Sequence, residues 1–244
     1  MFFVFINMSK NPKIFKWINS IFSMKREDYK KLAIVGIFAI AMAFLESAIV
    51  IYLRRIYYPS GFSFPLAHIE NWVLNTEWIR ELFTIVMLVS VACLAGKKII
   101  GKFAYFLYAF AIWDIFYYIW LKVILNWPSS FLTWDLLFLI PFPWVGPVLA
   151  PVISSLTMIL LALCIINLQD KNKKIEINFK EVALLILGIL FILYTFLIDY
   201  LKVVGKGMEQ VYSYVPSNYN WFIFIIGEIF IILAIVLFYL RHKR

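Results

Sequence analysis

The sequence WDIFYYIWLKVILNWPSSFLTWDLLFLIPFPWVGPVLAP, from Trp113 to Pro151, decides how this chain is organised. It brings acidic, basic and aromatic residues together inside an apolar chain, and it ends with four prolines, at positions 141, 143, 147 and 151. Proline cannot lie inside a regular helix, because it lacks the amide donor and its ring clashes with the preceding turn. The stretch therefore predicts a helix that ends near residue 127, a broken segment, and a new helix after it.

The composition around this stretch is that of a membrane protein. Hydrophobic residues make up 64% of the chain and the mean hydropathy is +0.88, whereas soluble domains contain roughly 45 to 50% apolar residues. About 20 apolar residues are needed for each crossing. The 244 residues therefore predict an all-α fold, a polytopic bundle of six transmembrane helices with no separate soluble domain.

The six predicted crossings are separated by short polar or proline-containing segments. The segment 128–143 has too few apolar residues to span a bilayer, so we predict a re-entrant or interfacial half-helix there. Residues 1–31 carry seven basic side chains and predict an amphipathic segment on the membrane surface, and residues 241–244 form a basic tail. The crossings span residues 32–58, 77–96, 103–127, 144–168, 182–204 and 221–240.

The distribution of Lys and Arg predicts the orientation. One side of the predicted bundle, with both termini, holds 17 of the 23 basic residues, and the other side holds 6. Because basic loops stay in the cytoplasm, we expect both termini to be cytoplasmic, in a prokaryotic inner membrane. The net charge of +9 is thereby assigned to membrane orientation, and no nucleic-acid partner is expected.

Charged residues near the middle of crossings predict a functional site. Glu46 lies deep in the first crossing, and Asp114 lies about 11 residues into the third, where an ionisable group costs several kcal/mol unless it is paired, protonated or hydrated. Further charged and tyrosine side chains lie above them in the predicted outer half. We predict a substrate or ion site formed by Glu46, Arg80, Glu81, Asp114, Tyr117, Tyr118, Lys122 and Asp135.

Two sets of charges at helix ends have a simpler interpretation. Arg54 and Arg55 end the first crossing, where arginines normally extend to the lipid headgroups. Glu77 and Glu81 flank Arg80 at a spacing typical of a local ion-pair cluster at the membrane surface. The functional alternative is that Arg80 and Glu81 join the charged residues of the third crossing.

The chemistry of the site is left open between several classes. Glu46 and Asp114 are the candidate catalytic acid or base, and Glu46, Glu81 and Asp114 are candidate ligands for a hard divalent cation, which prefers oxygen ligands. The only two histidines, His68 and His242, are predicted on opposite sides, so no haem and no histidine-ligated di-iron site is expected. No cofactor is identified.

Three functions fit these residues. The first is a transporter or channel-like protein for a proton, a cation or a small polar solute, since the broken proline segment is similar in kind to the discontinuous helices of transporter sites. The second is an intramembrane enzyme that acts on a lipid or isoprenoid. The third is a structural or assembly subunit in which buried ion pairs fix helix register. Membrane lipid is an expected partner, with a homo-oligomer or a larger membrane complex as further possibilities.

Overall fold

Helices dominate the computed structural model, which describes residues 24–171, 175–176, 178–204 and 208–243. Six helices in these ranges are long and apolar enough to cross a membrane, which confirms the predicted all-α bundle. A short helix, α6, lies between the last two of them. The elements are α1 Arg26–Tyr57, α2 Asn71–Ala95, α3 Ile99–Leu125, β1 Trp134–Phe138, β2 Trp144–Pro147, α4 Leu149–Asp170, α5 Phe179–Val204, α6 Met208–Ser213 and α7 Trp221–Lys243.

Several helices extend beyond the predicted crossings. α1 begins at Arg26 instead of residue 32, and the acidic residues of its first turn, Glu27 and Asp28, favour a helix start because they face the positive end of the helix dipole. Hydropathy marks only the apolar part of such a helix. The predicted amphipathic segment falls mostly on residues 1–23, outside the described residues, and the predicted basic tail continues α7 to Lys243.

The broken segment is a β-hairpin, so the predicted half-helix is wrong. β1 and β2 pair antiparallel, with Trp134 opposite Pro147 and Asp135 opposite Gly146, and the register shifts between Leu136 and Phe138. Prolines 141 and 143 fall in the connection between the strands, where they interrupt no ladder hydrogen bond. The strands are rich in tryptophan, phenylalanine and valine, which favour extended backbone. The predicted fourth crossing therefore starts late, because residues 144–147 belong to β2.

The hairpin is packed between the two halves of the bundle. Its base continues into α4 through backbone bonds from Val148 N to Thr133 O, 3.0 Å, and from Leu149 N to Phe131 O, 2.8 Å. On the α5 side Gly146 lies so close to Phe196 that an added Cβ would stand 3.2 Å from the ring. The hairpin is therefore held by protein on both sides, as backbone at membrane depth requires.

Small residues let the long helices approach closely. Ala39 and Ala43 of α1 and Ala104 and Ala109 of α3 are fully buried, and close packing through small side chains is typical of membrane helices. α5 and α7 make a second close pair. The polar cavity described below lies at the hairpin end of the α1, α2 and α3 group.

Both described ends of the chain lie at the end of the bundle opposite the hairpin. Lys25 Nζ is 3.2 Å from Asp170 Oδ1 at the end of α4. Arg241 near the end of α7 is 2.7 Å from Glu181 in the first turn of α5. With six crossings, the first helix starts and the last helix ends at the same end of the bundle.

Candidate functional site

A cavity of about 340 Å³ lies between α1, α2, α3 and the hairpin, and we call it the polar cavity. It has charged groups from four elements in its wall. The loop between α1 and α2 and residues from the α5 and α6 region complete the wall. The charged lining residues are Glu46, Glu77, Glu81, Asp114, Asp135, Arg54 and Arg80.

Arg80 joins two carboxylates from different helices. Its guanidinium bonds to Glu46 of α1 through Nη1 and to Glu77 of its own helix, with Nε 2.8 Å and Nη2 2.7 Å from Glu77 Oε2. The Thr84 hydroxyl is 3.4 Å from the same oxygen of Glu46. Both carboxylates are buried. A planar guanidinium with five donors is suited to such shared pairing.

A second ion pair attaches the hairpin to α1. Arg54 Nη2 is 2.8 Å from Asp135 Oδ1, and the two residues are 8% and 1% exposed. The guanidinium carbon also lies 3.8 Å from the ring centre of Trp127 and 4.5 Å from that of Phe62. Arg54 Nη1 is buried and has no hydrogen-bond partner among the described residues. The pair is therefore largely removed from bulk water.

Two carboxylates of the cavity have only neutral donors. Glu81 accepts the backbone amide of Leu139, at the hairpin tip, at 2.9 Å to Oε2 and 3.2 Å to Oε1. Asp114 Oδ2 accepts the hydroxyl of Ser155 on α4 at 2.8 Å. Among the described residues, neither carboxylate forms a salt bridge. Glu81 therefore attaches the hairpin tip to α2, and no arginine forms an ion pair with either group within the described ranges.

The charges of the cavity do not balance. Five carboxylates line it against two guanidiniums, so that, with all of them ionised, three negative charges are in excess. A buried charge without a partner costs far more than a paired one. Protons or a bound cation must therefore compensate for this excess.

Aromatic side chains form much of the remaining wall. Their ring faces carry partial negative charge and attract cations, most strongly where water is excluded. The Tyr58 hydroxyl accepts the amide of Ala67 at 2.7 Å, which fastens the loop over the cavity, and burial raises the pKa of Tyr58. The aromatic lining residues are Tyr57, Tyr58, Phe62, Trp78, Trp113, Tyr117, Phe138, Tyr200 and Tyr212.

Most of the predicted site residues share this cavity, and whether they act on a ligand stays a prediction. Tyr118 and Lys122 do not line it. Tyr118 is buried beside Asp135, and Lys122 Nζ donates to the carbonyl oxygens of Asn126, at 3.3 Å, and of Pro128, at 3.0 Å. The residues brought together are Glu46, Arg80, Glu81, Asp114, Tyr117 and Asp135.

Lys122 does not lie on the same face of α3 as Asp114, although the spacing of eight residues predicted that it would. Four residues of an α-helix rotate by roughly 400°, so each step of four drifts by about 40°. Lys122, two steps on from Asp114, lies about 80° around the helix and caps its end instead. Tyr117, three residues from Asp114, stays on the cavity side.

Sequence analysis missed Arg54 and Glu77 as members of the cavity. Arg54 was interpreted as facing the headgroups, and the signal against that interpretation was Asp135, a carboxylate in an apolar segment with no nearby cation in sequence. Glu77 was noted only as part of a surface cluster. Its spacing of three residues from Arg80 did indicate the contact that the structure shows.

The three candidate metal ligands line the same cavity but do not converge on one metal position. Within the described ranges, no group of three His, Cys, Asp or Glu side chains is close enough to hold a metal ion. Glu46, Glu81 and Asp114 are each held by a different donor: Arg80, the Leu139 amide and Ser155 respectively.

A second cavity, of about 360 Å³, adjoins the first, and we call it the apolar cavity. It lies between α3, α4 and α5, and hydrocarbon side chains dominate its wall. Trp113, Asp114, Leu137 and Phe138 line both cavities. Asp114 therefore lies at the boundary between a charged space and an apolar one.

Comparison with known proteins adds no information on this site. The chain matches no protein-family model, no curated protein and no solved structure. The fold and the cavities themselves are therefore the basis on which its function is inferred.

Proposed function

We propose that this protein is a small membrane transporter that binds a cation, or a small solute with a cationic group, in the polar cavity. The observation that carries the proposal is the excess of carboxylates over guanidiniums around one cavity. Glu81 and Asp114 are the groups that compensate for the charge of the ligand, because they alone among the lining carboxylates have neutral donors in place of an arginine.

The aromatic wall supports an organic cation rather than a bare metal ion. Trp78, Trp113 and Tyr117 line the same space as the carboxylates, and aromatic faces combined with negative charge are typical of sites for ammonium groups. The volume of about 340 Å³ lies in the range of small-molecule sites. A proton is the smallest ligand that the same carboxylates would exchange.

Packing below the cavity favours a transporter over an open channel. Ala39, Ala43, Leu88 and Ala109 are fully buried in the half of the bundle beneath the charged groups. Their hydrocarbon side chains fill the interior of the bundle at that depth. Passage across the membrane therefore needs a rearrangement of helices, as in alternating access.

The cellular setting belongs to the same proposal. The basic residues favour cytoplasmic termini in a prokaryotic inner membrane, and in that orientation the polar cavity faces outward. Lipid surrounds the bundle as its solvent. Six helices are few for a transporter, which favours assembly of several copies or association with another membrane subunit.

The test measures charge movement in reconstituted protein. Wild-type protein in liposomes on a solid-supported membrane is exposed to pulses of tetramethylammonium, guanidinium, sodium, potassium and protons. We expect at least one of these probes to give a transient current. Glu81→Gln and Asp114→Asn keep the side-chain shape and remove the charge, so each should abolish that current.

The control is Glu27→Gln, because Glu27 is an exposed carboxylate at the opposite end of the bundle. It should leave the current unchanged, and all variants should unfold at temperatures close to that of wild type. The proposal fails if no probe gives a current, or if the currents survive both cavity variants. Absence of a current in wild type, together with loss of stability in those variants, would favour a structural subunit.

A further inference from the structure

The apolar cavity is a cleft that opens to the lipid. Leu107 of α3, Met158 of α4 and Leu193 of α5 line it. At its edges Phe103 of α3 and Ile189 of α5 are about half exposed. Because both helices face the hydrocarbon core of the bilayer, a chain of methylenes can enter the cleft sideways without crossing water.

The apolar cavity ends at a charged group instead of closing on itself. Asp114 lines both cavities, and Ser155, which donates to its carboxylate, lies in the wall of the apolar one. Trp113 and the hairpin residues Leu137 and Phe138 form the rest of the boundary. A carboxylate at the end of a hydrocarbon cleft matches a ligand with an apolar chain in the cleft and a positively charged group next to the carboxylate.

We infer that the ligand of this site is a cationic amphiphile, with its ammonium or other cationic head in the polar cavity and its hydrocarbon chain in the apolar cavity. The inference rests on the proposed function and specifies its substrate class. An anionic lipid does not fit the same space, because its head would meet the excess negative charge around Glu81 and Asp114. Burial of each methylene contributes to affinity through the hydrophobic effect.

The head and the chain are tested separately. The probes are tetramethylammonium, hexyltrimethylammonium and decyltrimethylammonium, titrated calorimetrically into protein in lipid nanodiscs, with empty nanodiscs as the blank for partition into lipid. Decyl sulfate has the same chain with the opposite charge. Wild-type protein should bind all three ammonium ions and should not bind decyl sulfate.

A bulky substitution then blocks the apolar cavity. Leu193→Trp fills the cleft, whereas Leu187→Trp places the same side chain on an exposed part of α5 outside the cavity. A chain that extends from a head in the polar cavity into the apolar cavity meets Leu193 in the wall of that cavity. Leu193→Trp should therefore weaken decyltrimethylammonium by at least about tenfold and leave tetramethylammonium unchanged, and Leu187→Trp should alter neither.

The results separate this inference from the proposed function. If no ammonium ion binds, the amphiphile is overturned, and the proposed function is decided by the currents with guanidinium, sodium, potassium and protons. If tetramethylammonium binds and decyltrimethylammonium does not, or if Leu193→Trp and Leu187→Trp bind the long chain equally, the cation site stands and the amphiphile is overturned. Binding of decyl sulfate as tight as that of the ammonium ion overturns the assignment of the head.

Discussion

Replacement of Asp135 by Asn should destabilise the protein through the Arg54 guanidinium that it leaves behind. Arg54 and Asp135 are 8% and 1% exposed, and their charged atoms are 2.8 Å apart. Removal of one partner of a buried pair costs about 3 to 5 kcal/mol. Asn keeps an oxygen that accepts a hydrogen bond from Arg54, so we expect the lower end, about 3 kcal/mol of unfolding free energy.

The double variant makes the prediction specific to the pair. Arg54→Met with Asp135→Leu replaces both charges by apolar side chains of similar size, and such replacements of buried pairs are often neutral or stabilising. We therefore expect the double variant to be more stable than either single variant. If the hairpin were held by its strand pairing and packing alone, the two single losses would simply add.

The assay is thermal unfolding in one detergent, followed by tryptophan fluorescence. For a chain of this size 1 kcal/mol corresponds to a shift of about 2 to 4 °C in Tm, so Asp135→Asn should lower the Tm by about 6 to 12 °C. Arg55→Met, an exposed neighbour on the same helix, is the control and should shift it little. A Tm for Asp135→Asn within about 2 °C of wild type, a shift worth less than 1 kcal/mol, would refute the reasoning.

Two further variants test the packing and the opposite end of the bundle. Gly188→Ala should destabilise the protein by about 1 to 3 kcal/mol, because the new Cβ would lie 2.7 Å from the carbonyl oxygen of Gly227. Gly36→Ala should cost less in the same melt, because the nearest atom to its new Cβ would be the Tyr108 hydroxyl at 3.2 Å. Equal losses in the two variants would contradict the argument. Arg241→Met breaks the pair with Glu181, in which the arginine side chain is 31% and the glutamate side chain 9% exposed. Because water reaches the arginine, the variant should cost less than Asp135→Asn in the same melt. A loss as large as that of Asp135→Asn would show that exposure does not govern these pairs.

Hydropathy predicted the six crossings because each helix has to supply about 20 apolar residues to the bilayer. That requirement produces a hydropathy signal that a single sequence is enough to show. The helix ends were predicted less well, since charged turns such as the one at Arg26 continue a helix beyond the hydrocarbon. Positions 128–143 had no signal that distinguishes helix from strand, because a dozen apolar residues between prolines are compatible with a half-helix or with two short strands.

The cavity was predicted in part for a similar reason. A carboxylate such as Glu46 or Asp114 inside a crossing requires compensation, and this points to a site without naming the compensating group. Arg54 is 81 residues from Asp135 in sequence, and only the path of the hairpin brings them together. Spacing along one helix, by contrast, misplaced Lys122, whose side chain donates to carbonyl oxygens at the end of α3.

The hairpin also has a consequence for the order in which the protein is assembled. Two of its polar attachments are the Arg54 guanidinium and the Glu81 carboxylate, both on helices that leave the ribosome before the hairpin does. Chains fold from the N-terminus during synthesis, so the anchor groups of α1 and α2 are already in the bilayer when Asp135 and Leu139 emerge. The first three helices thus act as a template for the hairpin, and α4 to α7 enclose a segment that is already docked.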